Sequence, residues 1–191
     1  MDRLAILGLI LLLSLSLLNV VCGEEYGLLW KYETGDRVCS VSITSDGKYV
    51  VAGSKDNNVY LFNIEGDLLW KYKTGDDVYS VSITPDGKYV VAGSYDGNVY
   101  LFNREGRLLW KHKVGSNVNS VSITPDGKYV VAGSGGLWNG NICFFNRKGK
   151  LLWEYKTDNG VYSVSITPNG KYVVSRSYRY SVNAIICFVL P

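Results

Sequence analysis

The chain has 191 residues, of which 47% are hydrophobic, and it carries a net charge of +3 at neutral pH with a single histidine. Without the first 23 residues, 19 basic and 16 acidic side chains remain, so the excess is unchanged. This charge is too small to predict a nucleic-acid-binding surface or a strongly basic membrane patch. A solvated surface of mixed charge is the simpler interpretation.

Residues 1–23 differ from the rest of the chain. An apolar run covers residues 4–21 and is followed by two glutamates. A run of this length predicts a hydrophobic helix that serves as a secretory signal or as a transmembrane anchor. Three interpretations stay open: an uncleaved anchor, a signal peptide cleaved after Gly23, and a lipoprotein modified at Cys22. Each places the remainder outside the cytoplasm, either secreted or anchored to a membrane.

After a short linker at residues 24–27, the chain is a repeat protein from residue 28 to its end. Residues 68–107 match residues 28–67 at 32 of 40 positions, a third copy carries three extra residues, and a fourth degenerates near the C-terminus. The tryptophans that mark the register are spaced by 40, 40 and 43 residues: Trp30, Trp70, Trp110 and Trp153. A period of this length predicts that supersecondary units stack on one another.

Each repeat reads as four short strands and no helix. In residues 78–113, for example, the strands are VYSVSIT, KYVVAGS, NVYLFN and LLWKHK. The first two are separated by residues 84–88, Thr-Pro-Asp-Gly-Lys, and the last two by residues 103–106, Asn-Arg-Glu-Gly. Proline, aspartate and glycine in these positions favour tight turns. The unit is therefore predicted to be a four-stranded antiparallel meander, the size of one β-propeller blade.

The strand count predicts how the array ends. Residues 28–34 form a lone fourth strand, and the last repeat lacks its own fourth strand. If the two pair, four blades close into a propeller with no open edge. Two alternatives stay open. Two chains can join into an eight-bladed ring, each supplying the strand that the other lacks, or the chain is a truncated array.

The repeat resembles two propeller families over residues 28–188. The pattern GS-x-DG-NVYLFN-x-x-G-x-LLWKYKTG is similar to PQQ-like repeats, and VYSVSITPDGKYVVAGS resembles the first two strands of a WD repeat. Gly75-Asp76 and Phe102-Asn103 stand where a WD repeat has Gly-His and Trp-Asp. The resemblance implies an all-β propeller fold. It also gives an alternative function, a quinoprotein-like enzyme fragment, although the metal-bound acid cluster of such enzymes cannot be placed on these residues.

Chemistry-bearing residues are few. His112 replaces a tyrosine of the other repeats, which favours a structural role over a catalytic one, and no nucleophile accompanies it in a known motif. Cys39 and Cys143 also replace tyrosines, which suggests core fillers, with a Cys143–Cys187 disulfide as the alternative. The Asp-Asn-Asn at residues 56–58 suggests calcium, but turn chemistry explains it better. We therefore predict no catalytic residue, metal or cofactor.

The four tryptophans, together with Phe62, Phe102 and Phe145, are predicted to form the centre of the blade stack. Large aromatic side chains supply much of the buried apolar surface of a core. Replacing one of these tryptophans with alanine is therefore expected to threaten the whole fold.

Variation among the repeats is concentrated in two sets of loops, those between blades and those between second and third strands. In a four-stranded antiparallel blade both sets lie at the same end, and variable loops on a rigid frame are candidates for recognition. Trp138, in a glycine-rich insertion, resembles an interface anchor, with packing over its own blade as the alternative. The candidate partner-binding residues are Asp36, Arg37, Lys55, Asp76, Asp77, Tyr95, Asn117, Trp138, Asn139, Tyr178 and Tyr180.

These patterns predict a non-enzymatic, extracytoplasmic β-propeller that acts as a binding or scaffold module. Its partner is expected to be a protein or a glycan, with no nucleic acid involved. The membrane is a further partner if residues 4–21 are not cleaved. A truncated propeller without an independent function is the second alternative, after the quinoprotein-like fragment.

Overall fold

A computed structural model describes residues 27–179 and 182–189 of the chain. The predicted hydrophobic helix, and with it the signal or anchor of residues 1–23, lies outside the described residues. The chain divides into two compact units, Met1–Lys31 and Tyr32–Pro191. Within the described residues there is no helix with the length and hydrophobicity needed to cross a bilayer.

The second unit contains all the described strands, and each has the pattern of alternating or continuous apolar residues that the repeats predict. Their bounds are β1 (Val38–Ile43), β2 (Tyr49–Ser54), β3 (Asn58–Asn63), β4 (Leu68–Lys73), β5 (Val78–Ile83), β6 (Tyr89–Ser94), β7 (Asn98–Asn103), β8 (Leu108–Lys113), β9 (Val118–Ile123), β10 (Tyr129–Gly135), β11 (Gly140–Asn146), β12 (Leu151–Thr157), β13 (Val161–Ile166), β14 (Tyr172–Arg179) and β15 (Val182–Val189).

The described strands form four antiparallel sheets, one for each repeat. Three sheets have four strands in sequence order, β1-β2-β3-β4, β5-β6-β7-β8 and β9-β10-β11-β12, and the last has three, β13-β14-β15. We call these sheets blades 1 to 4. The first strand of each blade contacts the first strand of the next, from β1 through β5 and β9 to β13. The all-β, blade-by-blade architecture predicted from the repeats is confirmed.

Apolar side chains from two neighbouring blades form each layer of the core. Between blades 1 and 2, Val51 and Leu61 of the first blade pack with Val78, Val81 and Phe102 of the second. The largest fully buried side chains of the described residues are Phe102 and Phe145, followed by Leu61, Leu101 and Ile142. Blades 2 and 3 therefore bury one face against the preceding blade and the other against the following blade, as expected for stacked repeats.

We call each of these blade-to-blade interfaces a joint, and glycine makes all three joints close. A Cβ atom added to Gly53 would lie 2.6 Å from the Val78 side chain, and one added to Gly93 would lie 2.5 Å from Val118. The third joint repeats this contact between Gly133 and Val161. Because real Cβ atoms do not approach so closely, a side chain at these positions would push the blades apart.

A serine hydroxyl also bridges every joint. The backbone N–H of Val81 donates to Ser40 Oγ at 3.1 Å, and that of Val121 donates to Ser80 Oγ at 3.0 Å. The third joint repeats the bond from Val164 to Ser120 at 3.1 Å. These first strands are edge strands, so the serines satisfy backbone donors that no neighbouring strand reaches.

The predicted pairing of residues 28–34 with the last blade is wrong for the described structure. Residues 27–34 are not a strand, and the fourth sheet has no fourth member among the described residues. Tyr32 instead lies 4.9 Å from the ring of Phe62 and 5.8 Å from that of Tyr60. Tyr72 makes the same contacts with the next blade, 4.8 Å from Phe102. Tyr32 therefore packs on the blade that follows it in sequence, as the equivalent fourth-strand residue Tyr72 does.

Of the residues predicted to form the centre of the stack, Phe62, Phe102 and Phe145 are buried. Trp70, Trp110 and Trp153 instead lie half-buried on the outer strands, packed against the core. The Trp70 ring is 5.5 Å from Phe102, and its indole N–H donates to the Arg104 carbonyl at 2.8 Å. Gly106, with a φ of 80°, lies flat on the indole, since an added Cβ would be 2.7 Å from Trp70 Cγ. Aliphatic side chains surround Phe102 and Phe145 in the core, because apolar residues occupy both faces of the inner strands.

The turn between the first two strands contains an aspartate in blades 1 to 3, and folding lowers the pKa of its carboxyl group. Asp126 accepts hydrogen bonds from the Lys128 N–H at 2.9 Å and from the Thr124 hydroxyl at 2.7 Å. These bonds, with the Lys128 ammonium 2.9 Å away, lower the pKa of Asp126 to about 2. In blade 4 the neutral Asn169 accepts the same bond from Thr167 at 2.8 Å.

We expect Asp126→Asn to be less stable than the wild type at pH 7 but to converge with it in acid. A carboxyl whose pKa falls on folding stabilises the protein above its unfolded pKa, and loses this effect as the pH falls through the folded value. The difference in unfolding free energy should therefore shrink between about pH 4 and pH 2. Urea unfolding across this range measures it, with Asn169→Asp as the reciprocal variant. A difference that stays constant down to pH 2 would contradict the assignment.

Candidate functional site

The two sets of variable loops meet at one end of the blades. The backbone N–H of Lys55, just after β2, donates to the Arg37 carbonyl at 2.9 Å. The backbone N–H of Tyr95 likewise donates to the Asp77 carbonyl at 2.8 Å. The third blade repeats the bond from Gly135 to the Asn117 carbonyl at 2.9 Å. We call this end, made of the blade-to-blade connections and the loops between second and third strands, the loop face. The backbone therefore brings the two predicted loop sets together.

The acidic turns of the loop face are bound to their own blades. Asp56 Oδ2 accepts from the Tyr60 hydroxyl at 2.5 Å and from the Gly35 N–H at 2.8 Å. Asp96 accepts in the same way from the Tyr100 hydroxyl and, at 3.1 Å, from the Gly75 N–H. Turn chemistry thus accounts for these carboxylates, which lock a blade to the connection that precedes it.

Burial raises the pKa of Asp96, but hydrogen bonds from Tyr100 and Asn98 outweigh it and hold the pKa below its ordinary value. The same carboxylate, together with burial, raises the pKa of the Tyr100 hydroxyl. In blade 3 neither residue of this pair is present, since Asn139 stands at the position of Asp96 and Cys143 at the position of Tyr100. Burial raises the pKa of the Cys143 thiol to about 12. The hydrogen-bonded pair of a tyrosine hydroxyl and a carboxylate is therefore a feature of the first two blades.

Lys55 is the centre of a charged and aromatic cluster at the first joint. Its Nζ lies 3.4 Å from Asp77 Oδ2, donates to the Tyr79 hydroxyl at 3.1 Å, and sits 5.1 Å from the centre of the Tyr79 ring. The hydrogen bond to Tyr79 raises the pKa of Lys55. The Tyr95 ring lies 5.4 Å from the Tyr79 ring, tilted by 37°, and Tyr95 keeps 44% of its surface exposed. The structure therefore brings together the predicted residues Lys55, Asp77 and Tyr95. It adds Tyr79, which was not predicted.

The insertion of blade 3 places a tryptophan at the tip of a tight loop. Trp138 is 77% exposed and its neighbour Leu137 is 54% exposed. The loop is closed by a bond from the Gly136 N–H to the Asn139 carbonyl at 3.1 Å. At its base, Gly135 has a φ of 119°, and an added Cβ would lie 2.2 Å from the Asn139 carbonyl oxygen. Glycine is needed there to turn the chain.

Blade 4 helps to hold this loop in place. The Asn119 amide donates to the Gly135 carbonyl at 2.8 Å and to the Val161 carbonyl at 3.1 Å. The Gly160 N–H donates to the Gly136 carbonyl at 2.7 Å. The base of the Trp138 loop is therefore fixed between two blades while the aromatic side chain stays exposed.

The other predicted residues have varied surroundings. The Asp36 and Asp76 carboxylates accept from the N–H of the next residue, at 2.6 and 2.9 Å, and so terminate the connections between blades. Tyr178 was predicted in a loop but belongs to β14, paired with Asn183, because the last hairpin has longer strands. Tyr180 lies outside the described residues.

Sequence reasoning missed Tyr79 and Leu137. Tyr79 lies within a predicted strand, and its apolar neighbours on that strand concealed that it faces the loops. The signal available was its variation, since tyrosine, cysteine and asparagine occupy this position in the first three repeats. Leu137 adjoins Trp138 and could have been found from the insertion itself.

The histidine and the cysteines lie in or near the blade packing. His112 packs 4.9 Å from the Phe145 ring, as Tyr72 packs on Phe102 in the preceding joint. Cys143 is buried, Cys39 and Cys187 are exposed, and all three are free thiols. The alternative of a Cys143–Cys187 disulfide is therefore absent from this structure.

Comparison with known proteins identifies the fold. The family model for the outer membrane protein assembly factor BamB matches residues 24–188. Among solved structures, the chain is similar to hydrazine synthase from Kuenenia stuttgartiensis, with a TM-score of 0.71 and 18% identity over 86% of this chain. The chain spans 49% of the length of that protein, so the similarity describes the fold alone. Comparison with curated proteins found no match. The chain belongs to the PQQ-like β-propeller repeat family that includes BamB.

Proposed function

We propose that the chain is a non-enzymatic, extracytoplasmic binding module that uses its loop face to hold a protein or a glycan. The observation that carries this proposal is the Trp138 loop. It combines a tryptophan that is 77% exposed with a base fixed by bonds to the next blade. A rigid support lowers the entropy lost on binding, and tryptophan is among the most frequent anchors of binding interfaces.

The surroundings of the joint between blades 1 and 2 support the same surface. Tyr95 offers a second exposed aromatic ring, and Lys55 and Asp77 supply a fixed cation and anion beside it. An aromatic platform with polar groups next to it suits both a sugar ring and a peptide. The family description names an assembly factor, which favours a protein as the partner.

We expect Trp138→Ala to reduce partner binding by at least about tenfold without a change in thermal stability, as truncation of an anchor residue does. The measurement is affinity capture from membrane and secreted fractions, followed by titration of each captured protein, with a glycan array for the second class of partner. Leu109→Ala, on the outer strand of blade 2, is the matched control because it removes another exposed apolar side chain. Equal binding by both variants would contradict the proposed site.

The cellular location is a further part of the proposal. A secretory signal or anchor at residues 1–23 would carry the blades across the membrane, and retention of residues 4–21 would add the bilayer as a partner. The alternative is a quinoprotein-like enzyme fragment. The absorbance spectrum of the purified full chain tests it, because a co-purified quinone cofactor would support that role in place of the binding role.

A further inference from the structure

We propose that the open side of blade 1 receives a three-stranded blade of another polypeptide, one that carries glycine at the position of Gly93, and that Arg176 prevents the chain's own last blade from filling this place. The surface, here called the leading flank, consists of Val38, Val41 and Ile43. The inference concerns the sides of the blades and does not depend on what the loop face binds.

The leading flank is an exposed copy of a surface that is buried at every joint. Val38, Val41 and Ile43 are 47%, 66% and 57% exposed. The residues at the same positions in blade 2 are Val78, Val81 and Ile83, which are 0%, 6% and 7% exposed because blade 1 covers them. An apolar patch of this kind, on a strand whose internal copies are all covered, marks an interaction surface.

Part of the missing blade is already in position. Tyr32 packs on Tyr60 and Phe62, where the fourth strand of a preceding blade would place it. The Gly35 N–H donates to Asp56 at 2.8 Å, as Gly75 of a true fourth-strand connection donates to Asp96. Tyr32 and Gly35 therefore make the contacts of an outer strand and its connection, although residues 27–34 are not a strand, and three inner strands are lacking beside them in the described structure.

The chemistry of the occupant follows from the three internal joints. Each has a glycine beneath a valine of the next blade, at 2.5 to 2.6 Å from an added Cβ. Each also has a serine hydroxyl that accepts from a valine N–H. At the leading flank the corresponding groups are the Val38 side chain and the Val41 N–H. The occupant must therefore offer a glycine and a serine on its second and first strands.

The last blade has three strands and a serine, but it fails this requirement at one position. Arg176 pairs with Ser163 as Gly93 pairs with Ser80, so it occupies the glycine position of the joint. Its side chain is exposed beside Val174 and Ile185, which are 39% and 79% exposed. An arginine there would meet the Val38 side chain of a second copy. Head-to-tail joining of two wild-type chains is therefore blocked in the geometry of the internal joints.

The test uses the chain itself as the probe. We expect Arg176→Gly to convert the last blade into an occupant, so that the full chain self-associates at least about tenfold more tightly than the wild type by burying apolar side chains. Sedimentation in mild detergent measures this, and residues 1–23 are common to all variants. Adding Val41→Asp should reverse the gain, since a charge is costly to bury. Arg107→Gly, which removes an exposed arginine elsewhere, should behave like the wild type.

A mixture sharpens the result. Wild-type chains should bind Arg176→Gly chains, because the leading flank of the wild type is intact. Failure of Arg176→Gly to associate would overturn the proposed docking surface. Association that is insensitive to Val41→Asp would show that another surface is responsible. Wild-type association that Val41→Asp abolishes would overturn the role of Arg176. None of these variants changes Trp138 or the loop face. Partner binding through Trp138 is therefore expected to stay the same, and the two proposals are tested independently.

Discussion

Phe102→Ala is expected to lower the free energy of unfolding by about 3–5 kcal/mol, as removal of a fully buried phenylalanine does when the site cannot collapse. Phe102 is 0% exposed. It contacts Trp70 at 5.5 Å and Tyr72 at 4.8 Å, both on the outer strand of the preceding blade. Truncation therefore leaves a cavity between two blades and removes the partner of both outer aromatic rings.

Blade 4 offers a matched control for this substitution. Phe188 lies at the same register position, 4.8 Å from Trp153 and 4.9 Å from Tyr155, but it is only partly buried. Phe188→Ala should therefore cost less than about half as much, because less apolar surface is lost from a site that solvent reaches. Urea unfolding followed by tryptophan fluorescence compares the two variants. Equal losses would mean that the joint between blades 1 and 2 contributes no more than the open end of the array.

Gly93→Arg is expected to have the second large effect, because it places the residue of the last blade inside a joint. An added Cβ at Gly93 already lies 2.5 Å from Val118, and an arginine would also bring a charge between two apolar faces. We expect a loss of more than about 3 kcal/mol, beyond the usual cost of overpacking.

A smaller change keeps this prediction measurable if Gly93→Arg does not fold. Gly93→Ala should cost about 1–3 kcal/mol, the usual range for overpacking a close contact. Arg176→Gly, at the same position of an uncovered blade, should leave the melting temperature of the single chain nearly unchanged. Tolerance of arginine at position 93 would show that the joints are looser than the structure describes.

Most of the fold could be predicted from the sequence because every blade repeats the same local signals. The turn at residues 84–88 and the alternating apolar residues of β5–β8 define a meander, and the repeat period then gives the number of blades. The path of residues 28–34 could not be predicted in the same way. Its sequence identifies a fourth strand but not the blade that it joins, and Tyr32 finds its aromatic partners on blade 1.

The candidate site was predictable in outline and not in detail. Loop variation located the loop face, and the glycines around Trp138 indicated an exposed turn. Sequence variation alone could not distinguish residues that bind a partner from residues that stabilise the fold. Asp56 lies in a variable loop, but its carboxylate accepts hydrogen bonds from the Tyr60 hydroxyl and the Gly35 N–H. Nor did variation separate a loop from a strand at Tyr178. The role of Asp56 and the strand at Tyr178 both depend on hydrogen bonds to other parts of the chain. Packing of the chain decides those bonds, and local composition does not.

Arg176, at the position of Gly53, Gly93 and Gly133, also decides which repeats could be duplicated within the array without disturbing a joint. A duplicate of any of the first three repeats carries the glycine of Gly53, Gly93 or Gly133 and would keep the joint geometry if inserted among them. A duplicate of the last repeat carries arginine and would interrupt the stack at its new location. The first three repeats are therefore interchangeable at a joint, and the fourth is not.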